Sequence, residues 1–265
     1  MAISSYSKSL IGMLHVPALP GTPTNHSAPD QIIDHALYEA HVLTGHGYHG
    51  LILENMHDAP YTKGRVGPEV VATMAAAALA VRREHPGIQI GIQILAAANR
   101  EAMAVAHAAG LELIRAEGFV FGHVADEGYI DSCAGDLLRY RKQISADAVQ
   151  VFCDIKKKHS SHALTSDISL AETARAAEFF RADGLIVTGT ATGQPTDLDD
   201  LRAVREASDL PLVVGSGTTP ENVASYLEIA DAAIVGSWIK YDGDWRKPVD
   251  PDRVARLAEA SGIVS

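Results

Sequence analysis

Apolar residues along the chain gather into eight short runs, each followed by a stretch with helical spacing. The runs are "SLIGMLH" (9–15), "GLILEN" (50–55), "IQIGIQIL" (88–95), "LELIRAE" (111–117), "VQVFCDIK" (149–156), "GLIVTG" (184–189), "LPLVVGSG" (210–217) and "AAIVGSW" (232–238). Near-continuous apolar strands are what a parallel sheet covered by helices on its outer face requires. The segments between them carry helix ends. "GPEVVATMAAAALAVRREHPG" has Pro68 near its start and Pro86-Gly87 after its end, and "ANREAMAVAHAAG" stops at Gly110. "TTPENVASYLEIA" offers Thr219 as an N-cap and Pro220 in the first turn. Eight strand–helix units predict a (β/α)8 TIM barrel, one domain over residues 1–265. An open doubly wound sheet fits less well, because no G-x-G-x-x-G opens the first unit. Two strand-to-helix connections, 16–29 and 118–133, are long and belong to the face where barrels build their sites.

Polar residues stand at the C-terminal end of every run. They are His15; Glu54 and Asn55, with Asp58 beyond; Gln93; Arg115; Asp154 and Lys156; Thr188 and Gly189; Gly215-Ser216-Gly217; and Gly236-Ser237. In the fifth run, period-2 alternation puts Val149, Val151, Cys153 and Ile155 on one face and Gln150, Phe152, Asp154 and Lys156 on the other. Asp154 and Lys156 are therefore expected inside the mouth, and Lys157 outside in solvent. Lys158 and His159 follow at the rim, and His162 on loop surface. Lys156, held by Asp154, suits anion binding, proton return or Schiff-base chemistry; an inward ion pair filling the barrel top is the other reading. Glu54 ends an otherwise apolar strand and suits a general base or a metal ligand. His15 suits acid–base work or a hydrogen bond across the mouth. Arg115 suits a carboxylate or phosphate fork, or an internal pairing with Glu54 or Asp154. Asn55, Asp58, Lys158 and Thr188 complete the expected substrate-binding set, and Asp126 sits in the long loop.

The last three strand ends carry a separate signal. "VVGSGTTPEN" and "IVGSWIK" repeat a Gly-Ser turn on consecutive strands, and "TGTATGQP" (188–195) adds a third small-residue loop. Small residues let backbone N–H groups approach an anion, and barrels bind phosphate after strands 7 and 8. Gly189, Gly193, Gly215, Ser216, Gly217, Gly236 and Ser237 are the expected phosphate-binding positions.

Composition narrows the partners. Among 265 residues the formal net charge is -11, which disfavours nucleic-acid backbones and anionic membrane surfaces. No apolar run nears the roughly 20 residues of a membrane span. The N-terminus shows no signal-peptide pattern, and two cysteines make no disulfide framework, so a reduced cytoplasmic compartment is expected. No H-E-x-x-H or H-x-E-x-H spacing occurs. A divalent metal would have to be gathered by His15, His57, His159 and Asp154, and no cofactor is demanded.

These segments bring a family into view. "IGMLHVPALPG" (11–21), "GLILENMHDAP" (50–60), "CDIKKKH" (153–159), "VTGTATGQP" (187–195), "VVGSGTTPEN" (213–222) and "IVGSWIKYDG" (234–243) resemble the BtpA/SgcQ family nearly end to end. The resemblance implies a TIM barrel related to the ribulose-phosphate-binding barrels. It marks the strand-end residues above, with Asn222 and Lys240, as positions such a family keeps. One member is linked to photosystem I biogenesis, and others accompany sugar-metabolism genes. Two functions follow as expectations. The first is an enzyme acting on a small phosphorylated metabolite through Glu54, Asp154, Lys156 and His159, by isomerase, lyase or hydrolase chemistry. The second is a non-catalytic assembly factor. Barrels of this kind also self-associate through helix faces, so a homo-oligomer is open.

Overall fold

Eight parallel strands close on themselves. The structure, a computed structural model, describes residues 8–189 and 194–263. The barrel strands are β1 (Ser9–His15), β2 (Gly50–Glu54), β3 (Gln89–Gln93), β4 (Leu113–Ala116), β7 (Gln150–Ile155), β9 (Gly184–Val187), β10 (Leu212–Val214) and β11 (Ala232–Val235). They pair in that order around the ring, and β11 returns to β1. All eight predicted runs form these strands, trimmed at their ends. The helices are α1 (Pro29–Gly45), α2 (Pro68–Glu84), α3 (Asn99–Ala109), α4 (Ala134–Gln143), α5 (Leu170–Phe179), α6 (Leu198–Ala207), α7 (Val223–Ile229) and α8 (Pro251–Ser261). Their ends follow local chemistry. Pro68 opens α2, Ser169 and Glu172 cap α5 reciprocally, and Gly110 closes α3 at φ 67°.

Strand alternation divides the apolar residues in two. Ile11, Met13, Ile52, Leu113, Phe152, Ile186, Val213, Ala232 and Ile234 fill the barrel interior. Their neighbours in sequence, such as Leu10, Leu14, Leu51, Leu53, Val151 and Cys153, pack outward against the helices. Fully burying one such side chain contributes roughly 1.5–3 kcal/mol. Above the interior layer the inward positions turn polar. Register pairs His15 with Glu54 and Glu54 with Gln93, so three polar groups stand side by side at one height.

The long 118–133 connection contains a hairpin of β5 (His123–Ala125) and β6 (Gly128–Ile130), and β8 (Ser160–Ser161) adds to its edge. One expected helix start changes. The seventh helix starts at Val223, with Asn222 rather than Thr219 as its cap. The Asn222 side chain accepts the Thr219 N–H at 2.8 Å, which spends the four residues from Thr219 on a turn.

At the opposite, N-terminal end of the barrel an ion-pair arrangement recurs. Arg82 at the end of α2 donates to Glu112, which also accepts the N–H of Ile90 in β3 at 2.7 Å. Arg141 of α4 donates to Asp183 at 2.6 Å, and Asp183 accepts the N–H of Val151 in β7 at 2.8 Å. Arg205 of α6 donates to Asp231 at 2.6 Å, and Asp231 accepts the N–H of Leu212 in β10 at 2.8 Å. Each clasp ties a helix end, the following strand, and the loop entering the strand after that. At the fourth such position His49 Nδ1 accepts the N–H of Leu10 in β1 at 3.4 Å.

Candidate active site

The polar strand ends open into a cavity of about 420 Å³ at the C-terminal face. A barrel packed with branched side chains has room for a ligand only above its last apolar layer. His15, Glu54, Gln93, Arg115, Asp154, Gly215 and Gly236 form the floor and lower walls of that space.

His15 Nε2 lies 3.4 Å from Glu54 Oε2, and both side chains are buried. Burial holds the His15 imidazole well below its ordinary pKa, helped by the positive charge of Lys240. Burial also pushes the Glu54 carboxyl up, against the pull of Arg115 and Lys158. Both shifts run toward an uncharged pair, which can hand a proton either way. His15 Nδ1 and Gln93 Oε1 are buried without hydrogen-bond partners among the described residues. Unsatisfied polar atoms in a cavity floor are costly and are commonly met by water or ligand.

Arg115 and Asp154 are locked together. Arg115 Nε and Nη2 donate to the two Asp154 oxygens at 3.0 and 2.8 Å. Of the alternatives open for Arg115, the pairing with Asp154 is the one present. Asp154 therefore does not hold Lys156, contrary to expectation.

Lys156 is the main displacement. The backbone leaves the strand at this residue with φ 49°, so period-2 alternation ends at Ile155. The Lys156 ammonium turns away from the mouth and donates to the carbonyls of Ile168 and Thr165. Lys157, expected in solvent, lines the cavity instead and pairs with Glu117 at 2.9 Å. Lys158 also lines it, its N–H donating to Thr188 Oγ1 at 3.2 Å. The Lys158 ammonium makes no hydrogen bond or ion pair among the described residues. Burial, then the Arg115 charge, lowers its pKa. His159 lines the rim, and burial followed by the Lys158 charge lowers its pKa. His162 packs its ring near His123 and bonds the Lys157 carbonyl at 2.9 Å, so it supports the loop rather than sitting free on the surface.

Three further expectations shift from contact to support. Asn55 bonds Asp58 and accepts the Leu95 N–H at 2.7 Å, while Asp58 accepts the Leu19 N–H at 2.7 Å. The two side chains tie three loops together and do not line the cavity. Thr188 positions Lys158 in the same indirect way.

The described parts of the glycine-rich loops lie against one another, with different duties. Ser216, Gly217, Thr218, Gly236 and Ser237 line the cavity beside Gly215. The backbone N–H groups of Ser216, Gly217 and Thr218 have no hydrogen-bond partner among the described residues. Gly189 is not open in this way: its N–H donates to Ser216 Oγ at 2.9 Å. A Cβ on Gly217, where φ is 69°, would lie 2.1 Å from the Gln194 carbonyl oxygen, so the residue must be small for the two loops to touch. Gly193 lies outside the described residues.

Sequence reasoning passed over Glu117, Tyr61, Trp238 and Trp245, all of which line the cavity. Trp238 directly follows the Gly-Ser turn; the others come from loops, where no periodicity points. Among the described residues, no three His, Cys, Asp or Glu side chains are grouped to hold a metal ion.

The BtpA family profile matches residues 6–262. The chain belongs to the BtpA family. It is 47% identical over 259 residues to a Caenorhabditis elegans protein named as mitochondrial, covering 96% of this chain and 93% of that one. It is 34% identical over 254 residues to the photosystem I biogenesis protein BtpA of Synechocystis, covering 95% and 87%. In structure it is similar to phosphoribosyl anthranilate isomerase from Thermus thermophilus, with a TM-score of 0.59 at 14% identity, covering 97% of this chain and 100% of that one. That likeness shows the TIM-barrel fold expected for this BtpA-family chain. No helix among the described residues is long and apolar enough to cross a membrane. The expected cytoplasmic location gains nothing from the mitochondrial name of the worm protein.

Proposed function

We propose that this chain is an enzyme that acts on a small phosphorylated metabolite by acid–base chemistry of the isomerase, lyase or hydrolase type. One observation carries the reading: the His15–Glu54 pair, Lys158 and the Ser216–Gly217–Thr218 turn, whose N–H groups have no hydrogen-bond partner among the described residues, line one cavity. Fixed N–H dipoles hold an anion with no reorganisation, which anchors the phosphate at one end. At the other end the proton of the His15–Glu54 pair moves to or from the reacting atom. Lys158 stabilises the negative charge that develops, and Arg115 keeps Asp154 from competing for it. The Thermus barrel of the same fold is named for a phosphoribosyl compound, which agrees with a phosphate anchor.

Thermal unfolding with phosphorylated sugars, each beside its dephosphorylated twin, tests the anchor. A ligand at about 100 times its Kd stabilises by roughly 2.7 kcal/mol. A phosphate-dependent rise in Tm that Ser216→Asp abolishes is the expected result. On the substrate so found, Lys158→Met should lower kcat by about 10²–10³-fold, the usual worth of one oxyanion donor. Lys156→Met should leave kcat nearly unchanged. A panel with no shift, including inorganic phosphate, would favour the second reading, an assembly factor like the one the Synechocystis relative is named for.

A further inference from the structure

The chain has two tryptophans, Trp238 and Trp245, and both line the cavity. Neither is a core residue: each is half-buried at the mouth. Trp238 follows Gly236-Ser237 directly. Arg253 lies 4.3 Å from its ring centroid and donates to its carbonyl at 2.6 Å, which fixes the indole from one side. Trp245 is held by a tilted contact with the His57 ring at 5.3 Å, and Arg246 lies 4.9 Å from its centroid. The Trp245 backbone hydrogen-bonds His15, so the segment that carries this indole passes beside the proton-handling pair. Met13, Met56, Tyr61 and Leu95 continue the wall. The Tyr61 hydroxyl is spent on the Met56 carbonyl at 2.6 Å, so Tyr61 contributes its ring and not a free donor.

A phosphate anchor explains the Gly-Ser loops and leaves this wall unexplained. A bare sugar phosphate has no π-system to match two indoles, two thioethers and a phenol ring. A cavity of about 420 Å³ also falls within the range that encloses drug-sized ligands. We infer that the substrate carries, joined to its phosphorylated part, a planar aromatic or heteroaromatic ring that stacks on the Trp245 and Trp238 side of the cavity beside His15 and Glu54. Flat π-systems stack on indole whatever their edge groups, and thioethers favour ring edges. This inference rests on the phosphate reading above and adds the second half of the ligand.

Because both tryptophans face the cavity, intrinsic fluorescence reports the ring directly. The probes are the 5′-monophosphates of adenosine, guanosine, cytidine and uridine, with ribose 5-phosphate, the four nucleosides and inorganic phosphate as controls. At least one nucleotide should quench the emission and bind ten-fold or more tightly than ribose 5-phosphate. The single-tryptophan variants Trp238→Phe and Trp245→Phe assign the quenching to an indole. Trp245→Leu should weaken that nucleotide about ten-fold while leaving ribose 5-phosphate binding unchanged, which also shows that the variant folds. If ribose 5-phosphate binds as tightly as every nucleotide and none quenches, the ring inference fails and the phosphate anchor stands. If nucleosides bind and quench as well as their nucleotides, the ring stands and the anchor fails. No binding by any probe overturns the inference.

Discussion

Glu54 shows what a site residue costs the fold. Its carboxyl is buried, and its pKa in the folded chain lies above the ordinary value of 4.5. The unfolded chain therefore releases this proton first as pH rises. Stability that is present below pH 4.5 is lost as pH climbs toward the raised value. Glu54→Gln removes that loss. The variant should have a higher Tm than the parent at about pH 8, with the gain shrinking toward about pH 4, and should lack turnover. Calorimetry at several pH values reads the first part; a gain that does not depend on pH would contradict the burial argument. His15 runs the other way. Its folded pKa is depressed, so its contribution is kept at high pH and lost as pH falls from 6.5 toward the folded value. The sequence made both residues visible, because a charge ending a buried strand has no structural use there. It misplaced Lys156, because strand alternation carries no mark of where the strand stops and φ turns positive.

At the scale of elements, the cradle depends on a contact far from it in the chain. The Ser237–Ile239 turn that follows β11 is held through Lys240, whose fully buried ammonium meets both Glu39 oxygens of α1 at 2.6 Å. Glu39 also accepts the Val249 N–H at 3.2 Å, and His35 lies 3.4 Å from it. Lys240→Met takes the ammonium from a buried carboxylate and leaves it, among the described residues, only His35 and the Val249 N–H, which costs about 3 kcal/mol. Urea unfolding should show that loss, and the affinity for a phosphorylated ligand should fall with it, since α1 would no longer fix the turn. Glu39→Gln with Lys240→Met, which removes both charges, should recover much of the stability. Strands and most helix ends were readable at this scale, because period and capping residues are local. The hairpin over the mouth was not, since its three-residue strands are too short to set a period and its edge partner, Ser160-Ser161, lies beyond β7.

For the whole molecule, the two ends of the barrel divide the work. The mouth sets the Lys158 ammonium and the buried His15–Glu54 pair beside two ion pairs, Arg115–Asp154 and Lys157–Glu117, whereas the far end satisfies its charges in repeated clasps. Within a clasp the acid matters more than the arginine, because it also accepts a strand N–H. Asp231→Ala should cost about 2–3 kcal/mol, by leaving Arg205 and the Leu212 N–H without their acceptor. Arg205→Met should cost about 1 kcal/mol. Equal losses in urea unfolding would refute that ordering. The clasps fall on alternate units, after α2, α4 and α6, and the fourth position has the neutral acceptor His49 in place of a carboxylate. This fourth contact ties β1 to the loop entering β2, the two strands whose ends carry His15 and Glu54. A ligand seated on that pair acts as a staple across the two strands, so slower amide exchange in β1 and β2 should be the first trace that the mouth is occupied.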